Sequence, residues 1–167
     1  RIFVKEGLQM LKRTHSPGLR SLIACTGVDK DRIGAYHIGF VLGPCMNASG
    51  RLDTAKRTLN LLRAKSGKEA DILAGDLKAL NDSRKEMTDI AVEQARQIVD
   101  TTKAGKDRVL VLYLPGCHES LAGIVAGRIR ERYYRPAIIL TDAEEGIKGS
   151  GRSIEAYNMY EELSRCR

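Results

Sequence analysis

Lys68 to Asp100, KEADILAGDLKALNDSRKEMTDIAVEQARQIVD, is the stretch on which the reading of this chain turns. Ala70, Leu73, Leu77, Leu80, Arg84, Met87, Ala91, Gln94 and Ile98 follow one another at steps of three and four, the spacing of one helix face. No proline interrupts the run, so a single helix of roughly 50 Å is expected from a rise of about 1.5 Å per residue. Its seam is polar at Arg84 and Gln94 and lacks the sustained apolar a and d positions of a coiled coil. It reads as a rod connecting two domains and buried at both ends.

Before the rod the pattern is helical. Ile2, Phe3, Leu8 and Leu11 give a short helix over residues 2–12, Thr14 to Gly18 breaks it, and Pro17 opens a second helix through about Cys25. Asp29 or Asp31 is placed to cap a third short helix carrying Ile33 and Tyr36. Gly39 to Pro44 reads as extended backbone ending in a turn, and Leu52, Ala55, Leu59 and Leu62 predict a helix from about Leu52 to Ala64.

After the rod the period changes. Val109 to Leu114 is a near-continuous apolar run, expected to be a strand covered on both faces and ended by Pro115-Gly116. Leu121, Ile124, Val125 and Ile129 share one face of a helix over Glu119–Tyr133, and Ala137 to Leu140 makes a second strand. Strand–helix–strand of this kind predicts a parallel pair. An amphipathic helix over 154–165 closes the chain. The fold class is therefore α/β: a helical N-terminal segment (1–66), a long connecting helix (67–104), and an incomplete strand–helix–strand domain with a partly parallel sheet (105–167).

Composition narrows the function. With 28 basic and 21 acidic residues the 167-residue chain carries a formal charge of +7, which favours an anionic partner, nucleic acid above all. There is no Trp and only two Phe, so base stacking is not the main binding device. The four cysteines form no CxxC pair and the three histidines complete no zinc pattern, which reads as reduced thiols in a cytoplasmic protein. No apolar run approaches the roughly 20 residues that cross a bilayer. No signal peptide is seen, and a start at Arg1 inside a helix suggests a piece of something longer. A Walker loop is missing, against a nucleotide triphosphatase.

Three local clusters carry chemistry. In Gly43-Pro44-Cys45-Met46-Asn47-Ala48-Ser49-Gly50-Arg51-Leu52, a small-residue turn feeding a helix would place Asn47, Ser49 and Arg51 near a helix N-terminus, where an anion is favoured. An ordinary capped turn explains the same residues. In Cys117-His118-Glu119-Ser120, His118 is expected at the carboxyl end of the first parallel strand, the edge at which open α/β sheets bind ligands. It is a phosphate donor or a general acid there, or a structural hydrogen-bonder; a Cys-His-Glu nucleophile is the remote option. The third cluster, Lys148-Gly149-Ser150-Gly151-Arg152-Ser153, reads as a loop after the second strand, its glycines turning N–H groups to an anion while serine and arginine add donors. Arg128, Arg130, Arg132 and Arg135 read as a solvated helix face.

These clusters carry a resemblance. Gly43 to Leu52 resembles the "GPRxNAAGRL" segment of the bacterial RecJ single-strand-specific exonucleases, His118 to Ala126 resembles "HxGVxGIVA", and Lys148 to Ser153 resembles "KGSARS", in the same order and spacing across nearly the whole chain. Cys45 stands in place of arginine, Ser120 in place of glycine, Gly151 in place of alanine, and Cys117 where tryptophan is frequent. The resemblance implies a 5′→3′ single-stranded-DNA exonuclease of the Asp-His-His phosphoesterase superfamily, acting in repair and recombination with Mn²⁺ or Mg²⁺. The metal ligands would lie outside this chain, which holds no Asp-His-His run. This piece would comprise the end of the catalytic domain, the connecting helix and the first part of the associated domain. Gly149, Ser150 and Arg152, with Lys148, would hold a DNA phosphate, His118 another near the metal site, and Asn47 and Arg51 would face the cleft. The piece alone is expected to be inactive, its partner single-stranded DNA, no membrane, and its parent a monomer. Two alternatives stand beside it: a related phosphoesterase acting on oligonucleotides or cyclic dinucleotides, and a non-catalytic module that binds a protein through the rod.

Overall fold

A computed structural model describes residues 1–166, and its contacts divide the chain into two compact units, Arg1–Arg84 and Lys85–Arg167. The first unit is helical. α1 (Ile2–Lys12) and α2 (Pro17–Cys25) lie where the apolar spacing puts them, and Ser16 caps α2 by accepting from Leu19 N–H. Asp29 caps a 3₁₀ turn, Lys30–Arg32, and the one-turn α3 (Ala35–His37) follows separately.

The segment expected to be extended is helical. Ile38–Leu42 forms a π-helical turn that runs directly into α4 (Gly43–Leu52). The reason is Pro44, which has no N–H and whose ring crowds the carbonyl one turn back in a regular helix. Widening the turn relieves that crowding: Gly43 N–H donates to Ile38 O, five residues back. A Cβ at Gly43 would lie 2.6 Å from that carbonyl oxygen, so the π turn needs glycine there. The expected helix Leu52–Ala64 is likewise broken after Leu52 and resumes as α5 (Lys56–Arg63).

The rod is present as α6 (Gly67–Thr101), 35 residues long. Ala70, Ala74 and Leu77 enter the core of the first unit, with Leu22, Leu42 and Leu61. Ala91, Ala95 and Val99 enter the core of the second. In the C-terminal half the expected Ala91 is buried, but around it the seam shifts by one residue: Thr88, Ala95 and Val99 are buried, while Met87 and Gln94 are exposed. Small side chains allow the closest approach, so they, not the longest apolar ones, mark the inner face.

In the second unit a 3₁₀ turn (Lys103–Lys106) leads to β1 (Leu110–Tyr113), α7 (Glu119–Tyr133), β2 (Ala137–Ala143), β3 (Gly146–Arg152) and α8 (Met159–Ser164). β1 and β2 pair in parallel, Leu110 opposite Ala137 and Tyr113 opposite Leu140, as the strand–helix–strand pattern requires. Leu110 and Leu112 are buried beneath α7 and the second half of α6, but Val111 and Tyr113 are half exposed. The expectation of a strand covered on both faces therefore fails: the apolar run is one-sided among the described residues. The closing helix is also shorter than expected, because an Ile154–Tyr157 bridge takes up its first residues.

The largest departure is the third cluster. Residues 146–152 are no loop but strand β3, antiparallel to β2, with Gly149 opposite Leu140 and Gly151 opposite Ile138. The turn that allows this lies earlier, at Gly146, whose φ of +115° suits only glycine.

Candidate phosphate cleft

β3 reverses beside β2, and its period of two sets Lys148, Ser150 and Arg152 on one face. That face meets the first two turns of α7. A Cβ at Gly123 would lie 2.9 Å from both Ser150 Oγ and Arg152 Nη2, so glycine lets the strand's polar side chains settle on the helix. Lys148 Nζ lies 2.8 Å from Glu119 Oε2 in the first turn. The intervening glycines face the other way: a Cβ at Gly149 would lie 2.9 Å from Leu140 Cδ2, and one at Gly151 would lie 2.3 Å from Met159 Sδ. They serve close packing rather than a phosphate-wrapping turn.

His118 is the N-cap of α7. Its Nδ1 accepts from Ser120 N–H at 3.3 Å and lies 2.8 Å from Ser120 Oγ. A backbone N–H can only donate, so Nδ1 is the acceptor and Nε2 carries the ring proton as a donor. Cys117 beside it is buried, its Sγ lies 3.6 Å from His118 O, and burial pushes the thiol's pKa up. A protected, protonated thiol is a poor nucleophile, which removes the cysteine-protease reading.

A cavity of about 280 Å³ opens between these elements, lined by Glu119, Ser120, Ala122, Thr141, Lys148, Gly149 and Ser150. Hydrogen bonding and charge from Lys148 hold the Glu119 carboxyl below its usual range, and the same bond raises the Lys148 ammonium above its own. Beneath the cavity the buried Thr141 hydroxyl donates to Cys117 O and ties β2 to the approach of α7. A larger cavity, about 590 Å³, lies in the first unit among Arg20, Ser21, Lys30 and Asp71, and none of the motif residues lines it.

The first cluster is arranged otherwise than expected. Asn47, Ser49 and Arg51 run from the middle of α4 into its last turn, not at a helix N-terminus, so the dipole argument for an anion there does not apply. Ser49 is fully buried; its hydroxyl and that of Thr58 are 2.9 Å apart, and both donate to Met46 O. It fastens α4 to α5. Asn47 and Arg51, four residues apart on one helix face, are exposed.

The arginines of α7 have structural partners: Arg128 pairs with Asp89, Arg130 with Glu131 at 2.9 Å, and Arg135, beyond the helix, donates to Gly105 O at 2.6 Å. Residue reading missed the contact of Glu119 with Lys148. Their opposite charges were visible, but only the β2–β3 pairing brings them together.

Such an α/β unit, with a cationic strand face laid over a histidine-capped helix, is suited to gripping phosphate groups. Known proteins resemble the chain over its whole length. The single-stranded-DNA-specific exonuclease RecJ of Bacillus subtilis is 38% identical over 170 residues, covering 100% of this chain and 21% of that protein. The Escherichia coli protein of the same name is 35% identical, covering 99% of this chain and 30% of its own length. The crystal structure of RecJ from Thermus thermophilus with Mg²⁺ superposes with a TM-score of 0.82 at 31% identity, over 98% of this chain and 25% of that one. No family model matches. The chain belongs to the RecJ family, and it spans between about a fifth and three tenths of the curated relatives it matches.

A Thermus RecJ structure with Mn²⁺ gives the same TM-score, 0.82. In this chain, among the described residues, no three His, Cys, Asp or Glu side chains converge to hold such an ion. The described residues of this chain therefore do not fit a metal centre.

Proposed function

We propose that this chain supplies the strand-gripping part of a 5′→3′ single-stranded-DNA exonuclease acting in repair and recombination. Residues 1–66 are read as the end of the catalytic domain, 67–104 as the connecting helix and 105–167 as the first part of the associated domain. Lys148, Ser150 and Arg152 hold a backbone phosphate, helped by Gly149 N–H and by His118 Nε2, while Asn47 and Arg51 contact the strand from α4. Divalent metal and its ligands belong to other parts of the parent protein. No helix among the described residues is long and apolar enough to cross a membrane, and a cytoplasmic site of action is part of the proposal.

One observation carries the reading: lysine, serine and arginine aligned by β3 over the first turns of α7, in a chain 35–38% identical to proteins named for single-stranded DNA. Guanidinium and ammonium groups at such a site exchange counterions for phosphate, so affinity should fall with added salt. Replacing Arg152 by Ala should weaken binding of a 5′-phosphorylated single strand by about 1–3 kcal/mol, the worth of a charge-assisted hydrogen bond. Fluorescence anisotropy at fixed ionic strength measures this, and unchanged affinity removes β3 from the binding surface. The chain alone should release no nucleotides with Mn²⁺ or Mg²⁺; metal-dependent digestion by these 167 residues would refute the division of labour.

A further inference from the structure

Thr141 is fully buried, yet it carries a hydroxyl. A strand position that asked only for a β-branched side chain would be served as well by valine, whose burial needs no hydrogen-bond partner. The hydroxyl has a definite target. It donates to Cys117 O, the carbonyl immediately before His118. Cys117 N–H in turn donates to Leu114 O at 3.0 Å, and Leu114 N–H donates to Leu140 O at 2.8 Å. The turn Leu114–Cys117 is thus fastened to β2 at both ends, by Leu140 at its start and by Thr141 at its finish.

The same residue meets the other half of the cleft. Thr141 is the register partner of Lys148, and the next same-face positions of β2, Ile139 and Ala137, are opposite Ser150 and Arg152. Thr141 therefore stands between the histidine turn and the cationic strand face, and it lines the cavity along with Lys148 and Ser150. We propose that Thr141 is a positioning residue: through Cys117 O it holds His118 at a fixed spacing from Lys148, Ser150 and Arg152, so that the histidine and the strand face engage one nucleic-acid backbone together. The proposal rests on the phosphate-binding reading above. A histidine on a turn free to shift would lose part of its hydrogen-bond energy to being ordered on binding, and a turn already set does not.

The test is a double-mutant cycle on the 167-residue chain, read by fluorescence anisotropy with a labelled oligothymidylate at fixed ionic strength. His118→Ala should weaken binding roughly ten-fold, the worth of one hydrogen bond to a charged group. Thr141→Val, which keeps the shape and loses the hydroxyl, should weaken it by roughly three- to ten-fold. Combining the two should cost no more than about two-fold beyond His118→Ala alone, because Thr141 acts only through the histidine. Thr141→Ser, which restores the hydroxyl, should bind within about two-fold of wild type. A general loosening of the fold would weaken binding whether or not His118 is present, so losses that add overturn the proposal. A Thr141→Val chain that binds like wild type overturns it too. Thr141→Ala repeats the cycle without the hydroxyl if the valine variant does not fold. Arg152→Ala separates the underlying reading. If neither Arg152→Ala nor His118→Ala weakens binding, the phosphate cleft itself fails. If only Arg152→Ala does, His118 lies outside the cleft and Thr141 has nothing to position. If both do while the losses at Thr141 and His118 add, only the role of Thr141 fails.

Discussion

Two glycine-bearing segments, Gly43–Leu52 and Gly146–Arg152, look alike in sequence and behave oppositely in structure. Each mixes glycine, a hydroxyl residue and an arginine, and each suggests an irregular anion-binding turn. One is the helix α4, the other the strand β3. The helix distributes its polar groups around its axis, so Ser49 is buried as a fastener while Asn47 and Arg51 are exposed. The strand sorts its residues by twos, with Lys148, Ser150 and Arg152 on one face and glycines on the other. The same residue types thus make a constellation only where the backbone period aligns them.

The glycines allow the contrast to be broken. Gly151→Ala should destabilise the second unit by about 1–3 kcal/mol through overpacking, because the added Cβ meets Met159 Sδ. Chemical denaturation would show it, and a neutral result would mean that α8 moves aside freely. Gly50→Ala should do the reverse. Its Cβ would find nothing nearer than Ala55 Cβ at 3.9 Å, and alanine in place of glycine inside a helix is worth about 0.5–1 kcal/mol. Destabilisation there would show that α4 needs its glycine for more than close packing.

The smallest effect is one of pH. Glu119 has its carboxyl pKa lowered by Lys148, so the pair's stabilisation is present above the ordinary carboxylate range and is lost as pH falls through the lowered value. Lys148 has its own pKa raised by Glu119, so the same stabilisation is lost again as pH rises through that value. The Tm difference between wild type and Glu119→Gln should therefore close at both extremes. A difference that persists in acid would locate the role of Glu119 in packing or helix capping instead of charge.

Much of the architecture was legible beforehand. The rod, α1, α2, α7 and the parallel pairing of β1 with β2 follow from apolar spacing, capping residues and the change of period at Val109. The errors share a cause. Gly-rich polar runs carry no periodic apolar signal, so nothing in Gly43–Leu52 announces a helix and nothing in Lys148–Arg152 announces a strand. The one-residue shift of the buried seam along α6 has a related origin: Ala95 and Thr88 are buried because they are small, a property hydrophobic spacing does not weigh.

The sequence by itself determined which elements form where side chains repeat with a helical or strand period, because burying one face is a local demand. It also determined the family resemblance, since Gly43–Leu52, His118–Ala126 and Lys148–Ser153 match it in order and spacing. Tertiary structure alone decided that residues 146–152 pair with β2, that Gly123 admits Ser150 and Arg152 onto α7, and that Glu119 meets Lys148. Those contacts join residues far apart along the chain, and their geometry is set by strand register and close approach, which no local pattern encodes.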